Sequence, residues 1–170
     1  MESNLKTIIT EDLPRKQIKV TRMFAADPER VWNAWTDAEL LDLWWAPKPW
    51  RAETKTMDFR EGGFWLYAMV GPDGTRQYAR VDFKSISPQV NFVATDSFCD
   101  EEGNVSDSFP RMDWNCTFSQ NENGTKVDIV ITFEDEASLE KIIEMGFKEG
   151  FTSGHDNLDE LLSRTLAGTA

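Results

Sequence analysis

The side chains able to do chemistry are few, and their spacing excludes most of it. The chain has a single histidine, His155, and two cysteines, Cys99 and Cys116. These cannot assemble a Cys/His set for zinc, and no Ser/His/Asp or Cys/His arrangement can be built around a nucleophile. The acidic run DEEGNVSD, Asp100 to Asp107, lacks the ordered alternation of a calcium-binding loop and reads as a solvated loop. No metal and no cofactor is therefore expected. His155 remains, four residues after Phe151 and so on the same side of a helix, as a group able to contact a ligand or carry a proton. The second chemical feature is aromatic. VWNAWTDAELLDLWWAP, Val31 to Pro47, holds four of the seven tryptophans, and rings at that density either fill a core or wall a cavity for an apolar molecule.

Charge narrows the partners. With 30 acidic against 18 basic residues the formal net charge is -12, so phosphate backbones and anionic lipid surfaces are repelled, which excludes nucleic acid and membranes as partners. No run approaches the ~18 apolar residues of a membrane span, and MESNLKTIITEDLPRK lacks the apolar stretch of an export signal. The expected compartment is the cytoplasm, with both thiols reduced. At 170 residues and 40% hydrophobic content, one domain with its own core is expected.

The elements that must position these groups follow from periodicity. Residues 1–15 show none and are expected to form a flexible arm ahead of a single domain at 16–166. In QIKVTRMFA, Ile18, Val20 and Phe24 alternate with Lys19 and Thr21, a strand pattern. Asp27 as N-cap, Pro28 at the first helical position and Glu29 in the first turn predict a helix whose buried face holds Val31, Ala34 and Trp35. Thr36-Asp37-Ala38-Glu39 reads as a capping box opening a second short helix that ends before Pro47.

From Ala52 to Glu134 the period becomes two, as in an antiparallel meander. Gly71-Pro72-Asp73-Gly74 predicts a three-residue hairpin loop. It pairs Met69 with Gln77, Tyr67 with Ala79 and Trp65 with Val81 on the inner face, and leaves Phe64, Leu66, Ala68 and Val70 on the outer one. Asn123-Gly124, taken as the centre of a type I′ turn, pairs Phe118 with Ile129, Cys116 with Ile131 and Trp114 with Phe133. DEASLEKIIEM predicts a short helix. Residues 147–166 predict a longer one with the stripe Phe147, Phe151, Leu158, Leu161, Leu162 and Leu166. Gly150 and Gly154 cost that helix about 1 kcal/mol each relative to alanine, which implies that a strand or a ligand approaches its backbone.

This order of elements predicts an α+β fold, a curved antiparallel sheet of about six to seven strands around a long C-terminal helix, with two short helices after the first strand. Several residues then stand in a specific order: Arg22, Ala26-Asp27-Pro28, Val31-Trp32 with Ala34-Trp35-Thr36, Trp44-Trp45 with Pro47, Gly62-Gly63, Gly71 to Gly74, Ile86 with Pro88, Gly124-Thr125, and Gly150-Phe151 with Leu158 and Leu161-Leu162. Over roughly residues 16–166 the chain resembles the family related to the activator of the heat-shock protein 90 ATPase, within the START-like, or helix-grip, superfamily. Phe151 stands where the family often has tryptophan, and Asp27 where it often has a small residue before proline.

The resemblance implies a cavity between sheet and C-terminal helix that takes a small hydrophobic molecule. By the inner faces derived above it is lined by Trp35, Trp65, Tyr67, Met69, Gln77, Trp114 and Phe151, with His155 adjoining. It also implies two alternatives: a cyclase- or hydrolase-like enzyme using His155 or Tyr67 for proton transfer, or a protein that stimulates a chaperone ATPase. The eukaryotic activator grips the chaperone with a separate N-terminal domain, and only about 15 residues precede the shared fold here, so a chaperone ranks behind the small molecule as partner. A monomer or weak homodimer is expected.

Overall fold

Two strands precede the first helix. In the computed structural model, which describes residues 7–122 and 124–169 with 164–169 as backbone only, β1 (Ile8–Asp12) pairs antiparallel with β2 (Gln17–Phe24), Ile9 standing against Val20. Strand β1 lies within the stretch expected to be an arm; residues 1–6 of that stretch fall outside the described residues. Ile9 packs on the core while Ile8 is exposed. Five residues with one core contact carry too little alternation to read from sequence, and it is the backbone ladder of β2 that makes them a strand.

Helix α1 (Pro28–Thr36) starts as expected, with the Asp27 carboxylate accepting from Arg30 N at 2.9 Å. Helix α2 (Ala38–Trp44) starts one residue later than the expected capping box. Asp37 is its N-cap, accepting from Glu39 N at 2.9 Å, while the Thr36 hydroxyl turns back to donate to Trp32 O at 2.9 Å. Asp37 also closes α1 through its own N–H to Asn33 O. One residue thus ends one helix and begins the next, which holds the two at a fixed angle.

Six more strands follow, β3 (Arg51–Met57), β4 (Phe64–Val70), β5 (Arg76–Ser87), β6 (Asn91–Cys99), β7 (Met112–Asn121) and β8 (Gly124–Thr132), then α3 (Glu136–Glu144) and α4 (Phe147–Thr169). The sheet has eight strands in the order β1-β2-β8-β7-β6-β5-β4-β3, one more than the upper end of the expected six to seven, because of β1. Every pairing is antiparallel, and the second and last strands of the chain meet where β2 pairs with β8. Register shifts in β3 and β5 bend the sheet, and α4 lies in the resulting trough with Phe151, His155, Leu158, Leu161 and Leu162 buried; the side chain of Leu166 is outside the described residues. Among the described residues no helix is long and apolar enough to cross a membrane.

The first hairpin has the expected register: Gly71 N donates to Thr75 O at 2.8 Å, Gly74 takes φ +90°, and Trp65, Tyr67 and Met69 face Val81, Ala79 and Gln77. Its outer face is not left to water. Leu66, Ala68 and Val70 are buried. The Arg80 guanidinium lies 4.4 Å from the centre of the Phe64 ring, donates to Asp82, and reaches Gly103 O in the 100–105 loop, which folds over Leu66.

The second hairpin differs from its expected register by two residues. Trp114 faces Ile131, Cys116 faces Ile129 and Phe118 faces Val127, with Asn121 opposite Gly124; Asn123 lies outside the described residues. An even shift keeps each side chain on its face, so Cys116 is buried and Asn115 exposed, as expected. The glycine was misassigned because its reason is tertiary. Gly124 has φ +141°, and a Cβ there would lie 2.1 Å from Phe24 O in β2. It permits the close approach of β2 to β8 and belongs to the strand. Cys99 and Cys116 are both free thiols.

Replacing Gly124 by alanine is expected to lower stability by about 2–3 kcal/mol, through strain in the backbone and the clash with the Phe24 carbonyl. Urea unfolding of the purified variant checks this, and an unchanged midpoint would contradict the close-approach argument.

Candidate functional site

The tryptophans of α1 and α2 project between sheet and α4, each with a distinct neighbourhood. Trp32 packs edge-on against Phe59, Phe92 and Phe118; Trp35 packs against Trp44, Trp45, Phe118 and Phe151. Trp44 Nε1 donates to Ala34 O, which keeps the two short helices together. Trp45 reaches across the trough, and its Nε1 donates to the Tyr67 hydroxyl at 2.9 Å. Trp65 stacks on Tyr67 with centroids 4.0 Å apart and donates Nε1 to Thr54 Oγ1. These rings fill the trough near α1 and α2 and leave the part of β4–β7 that lies beneath α3 and the start of α4 less filled.

There a cavity of about 210 Å³ opens between β4–β7 on one side and α3, the α3–α4 junction and α4 on the other. Of the sequence-predicted residues, Tyr67, Met69, Gln77, Trp114 and Phe151 line it. Trp35 and Trp65 instead line a second, inner void of about 30 Å³, room for a single water, which Trp45 and Trp114 separate from the larger space. Gln77 is exposed and stands at the rim, across from the half-exposed Met145. Residues that sequence reasoning missed complete the wall, chiefly Trp45, Phe98, Met112, Ile142 and Phe147. Met112 and Phe98 were within reach of a period-two argument, Met112 standing two residues before Trp114. The α3 contribution was not, since nothing local says which face of the sheet that helix covers.

His155 lines neither space. It is fully buried among Phe24, Trp35, Trp44 and Phe151. Thr7 Oγ1 accepts from Arg22 Nη1 at 2.9 Å, so its own proton goes to His155 Nδ1, also at 2.9 Å. The ring is then the neutral Nε2–H tautomer, and Nε2 has no partner. Burial, and secondarily the Arg22 charge, pull its pKa down to about 3. Buried away from the cavity and held neutral, His155 is not placed to transfer a proton to a molecule bound there. Arg22 itself is buried, and its charge is met by Asp156 at 3.0 Å and Asp159 at 3.6 Å.

The polar residue that matters was not anticipated. Asp96 lines both spaces and is 8% exposed. It stands on the inner face of β6 after Phe92 and Ala94, in a cross-sheet row running Trp65, Val81, Asp96, Met112. No hydrogen bond or ion pair reaches its carboxylate among the described residues, and desolvation alone pushes its pKa up to about 7. The signal was in the sequence: an acid in step with Phe92, Ala94 and Phe98 in a strand is a buried polar group needing an explanation. Two further polar groups of the wall have hydrogen-bonding capacity to spare. Trp114 Nε1 is buried without an acceptor, and Tyr67, which accepts from Trp45, keeps its own proton because burial holds the phenol well above its usual pKa. Among the described residues no three His, Cys, Asp or Glu side chains converge as a metal site would need.

The two glycines of α4 divide the work expected of both. Gly150 lines the cavity, where a Cβ would meet only Pro47 Cγ at 3.7 Å. Gly154 lies over the end of α2, where a Cβ would be 3.2 Å from Trp45 O. The backbone of α4 is therefore approached at Gly154 by a helix end, in place of the strand or ligand expected.

A sheet wrapped on a long C-terminal helix, with a pair of short helices closing one end and a cavity under the helix, defines a START-like, helix-grip protein. The chain belongs to the Activator of Hsp90 ATPase homolog 1-like protein family, whose pattern matches residues 25–163. It is similar to the crystal structure of protein Ms6760 from Mycobacterium smegmatis, with 29% identity over 92% of this chain and 96% of that one and a TM-score of 0.85. The solution structure of a protein from Arthrobacter aurescens is 32% identical over 92% of this chain and 91% of the other, with a TM-score of 0.87. A protein from Staphylococcus epidermidis is 25% identical, over 92% and 94%, with a TM-score of 0.81. No curated protein matches the chain in sequence.

The Asp96 shift has a sign that can be checked. Its folded-state pKa lies above that of the unfolded chain, so between about pH 4 and 7 the folded state binds more protons, and this group's contribution to stability falls as pH rises. Asp96→Asn removes that loss. It is expected to stabilise the protein by about 1–3 kcal/mol at pH 8 and by clearly less at pH 5, the unpartnered amide offsetting part of the gain. Thermal unfolding of both proteins across that range is the measurement; equal effects at the two pH values would remove the case for a desolvated carboxylate.

Proposed function

We propose that the protein binds a small, largely apolar molecule in the cavity between β4–β7 and the α3–α4 side, without transforming it. The observation that carries this reading is an apolar-walled space with an unpartnered, buried carboxyl in it. A core packed at ordinary density leaves voids near the size of a water and pairs its buried polar groups. Membership of a START-like family fits a ligand-binding scaffold of this kind. Size limits the ligand. The space of about 210 Å³ is smaller than the roughly 300–1,000 Å³ of drug-sized sites, yet larger than the ~150 Å³ apolar cavity that accepts benzene. That corresponds to one ring with a short substituent, on the order of ten non-hydrogen atoms.

Thermal-shift screening of ring-sized compounds tests the reading. A compound present at 100 times its Kd is expected to add about 2.7 kcal/mol of stability. Gly150→Leu, which places a side chain into the cavity from α4, should remove that gain. If no compound stabilises the protein, contacts made by its surface, including those with a chaperone, become the better account.

A further inference from the structure

Among the described residues the cavity wall holds one carboxyl, that of Asp96, and no lysine, arginine or histidine. Around that acid stand the rings of Trp45, Tyr67, Phe98, Trp114 and Phe151. The second buried charge of the sheet's inner face, Arg22, has its carboxylates supplied by Asp156 and Asp159. Asp96 has no such counter-ion among the described residues, although it is more than nine-tenths buried. An isolated carboxylate is costly to keep out of water, and a counter-ion relieves that cost. Aromatic faces attract cations through the ring quadrupole, most strongly where water is excluded. An anionic ligand would meet a carboxyl with no positive side chain beside it, and the protein's net charge of -12 would oppose its approach.

Resting on the cavity reading above, we infer that the ligand is a small organic ammonium ion: a single apolar ring or equivalent chain whose protonated nitrogen pairs with the Asp96 carboxylate inside the aromatic wall. The nitrogen lies deep, against β6, and the apolar body points outward past Phe151 and Phe147 toward the rim formed by Gln77 and Met145. The unpartnered Trp114 Nε1–H is a donor and makes no demand on an ammonium group.

Three probes of about nine or ten non-hydrogen atoms, matched to the cavity, separate the possibilities: phenethylamine, 2-phenylethanol and phenylacetate. Phenethylamine remains protonated from pH 6 to 8, since an alkyl ammonium has a pKa of about 10. Over the same range Asp96 ionises, with its pKa at about 7. The other titratable groups near it are Tyr67 on β4 and Cys99 at the end of β6. Burial raises both, so neither changes charge in that window. The groups facing Asp96 from β5, β7, α4 and the end of α2 are Val81, Met112, Trp114, Phe151 and Trp45, which do not titrate.

Calorimetric titration of the full chain is expected to show phenethylamine binding at least about tenfold more tightly than 2-phenylethanol at pH 8. Its affinity should rise about tenfold from pH 6 to 8, following the ionised fraction of Asp96. Asp96→Asn should abolish that preference and flatten the pH dependence. Because the wild-type pH series needs no variant, the inference stays testable even if the substitution disturbs folding. Equal binding of amine and alcohol, insensitive to pH, overturns the inference and leaves the cavity reading standing. So does a preference for phenylacetate that weakens as pH rises, which would make Asp96 a protonated donor. Failure of all three probes to bind counts against the cavity reading itself.

Discussion

Helix α4 rests directly on the end of α2, and the arrangement of the site depends on that contact. At Gly154 the two backbones come so close that a Cβ would be 3.2 Å from Trp45 O. Three residues along, the Asn157 side chain donates to Ala46 O at 3.0 Å and to Trp44 O at 3.4 Å. The last carbonyls of a helix have no partner within it, and here the long helix supplies one. The seat fixes the end of α2, and with it the directions of Trp44 and Trp45. Trp44 then locks onto α1 through Ala34 O, and Trp45 spans the trough to Tyr67. A side chain at position 154 would push these helices apart and loosen every ring that Trp45 touches.

The same geometry leaves the larger space at one end. Around α1, α2 and the middle of α4, edge-to-face and tilted ring contacts among Trp32, Trp35, Trp44, Phe92, Phe118 and His155 fill most of the trough. Beyond Trp45 and Trp114 the wall changes to Met112, Phe98, Ile142 and Phe147, which line the cavity. Position 150 has no side chain, and the α3–α4 junction turns at Gly146 with φ +92°. The unfilled volume is thus a consequence of where α4 is pinned, and Asp96 lies in the row of the sheet beneath it.

The fates of the two titratable interior groups follow from what the neighbouring elements offer. His155 is closed in by rings, takes one hydrogen bond from Thr7 and stays neutral. Its environment is that of a packing residue with a polar edge. Asp96 faces Val81, Met112 and the cavity, with no counter-ion among the described residues. Chemical type alone had pointed to the histidine, because histidine titrates near neutrality in water. Burial reverses the ranking, since desolvation disfavours the charged form of each: it moves the histidine out of the physiological range and the aspartate into it.

Period-two and helical spacing, with Asp27-Pro28 at one end and Gly71 to Gly74 in the middle, were sufficient to place two short helices, the meander and the long C-terminal helix. They also placed Tyr67, Met69, Gln77, Trp114 and Phe151 on the face that bears the cavity. These are local properties: a turn's demand for positive φ, a cap's acceptor, the alternation of a half-buried strand. What sequence alone could not decide was set by contacts between elements far apart in the chain. Strand β1 exists because β2 offers it a ladder, and Gly124 belongs to a strand because β2 crowds it. Gly154 serves a helix seat where Gly150 serves the cavity, and Trp35 and Trp65 fall behind Trp45 instead of beside the larger space. Asp96 became the centre of the site in the same way, because whether a buried acid is paired depends on what the folded chain brings within reach of it.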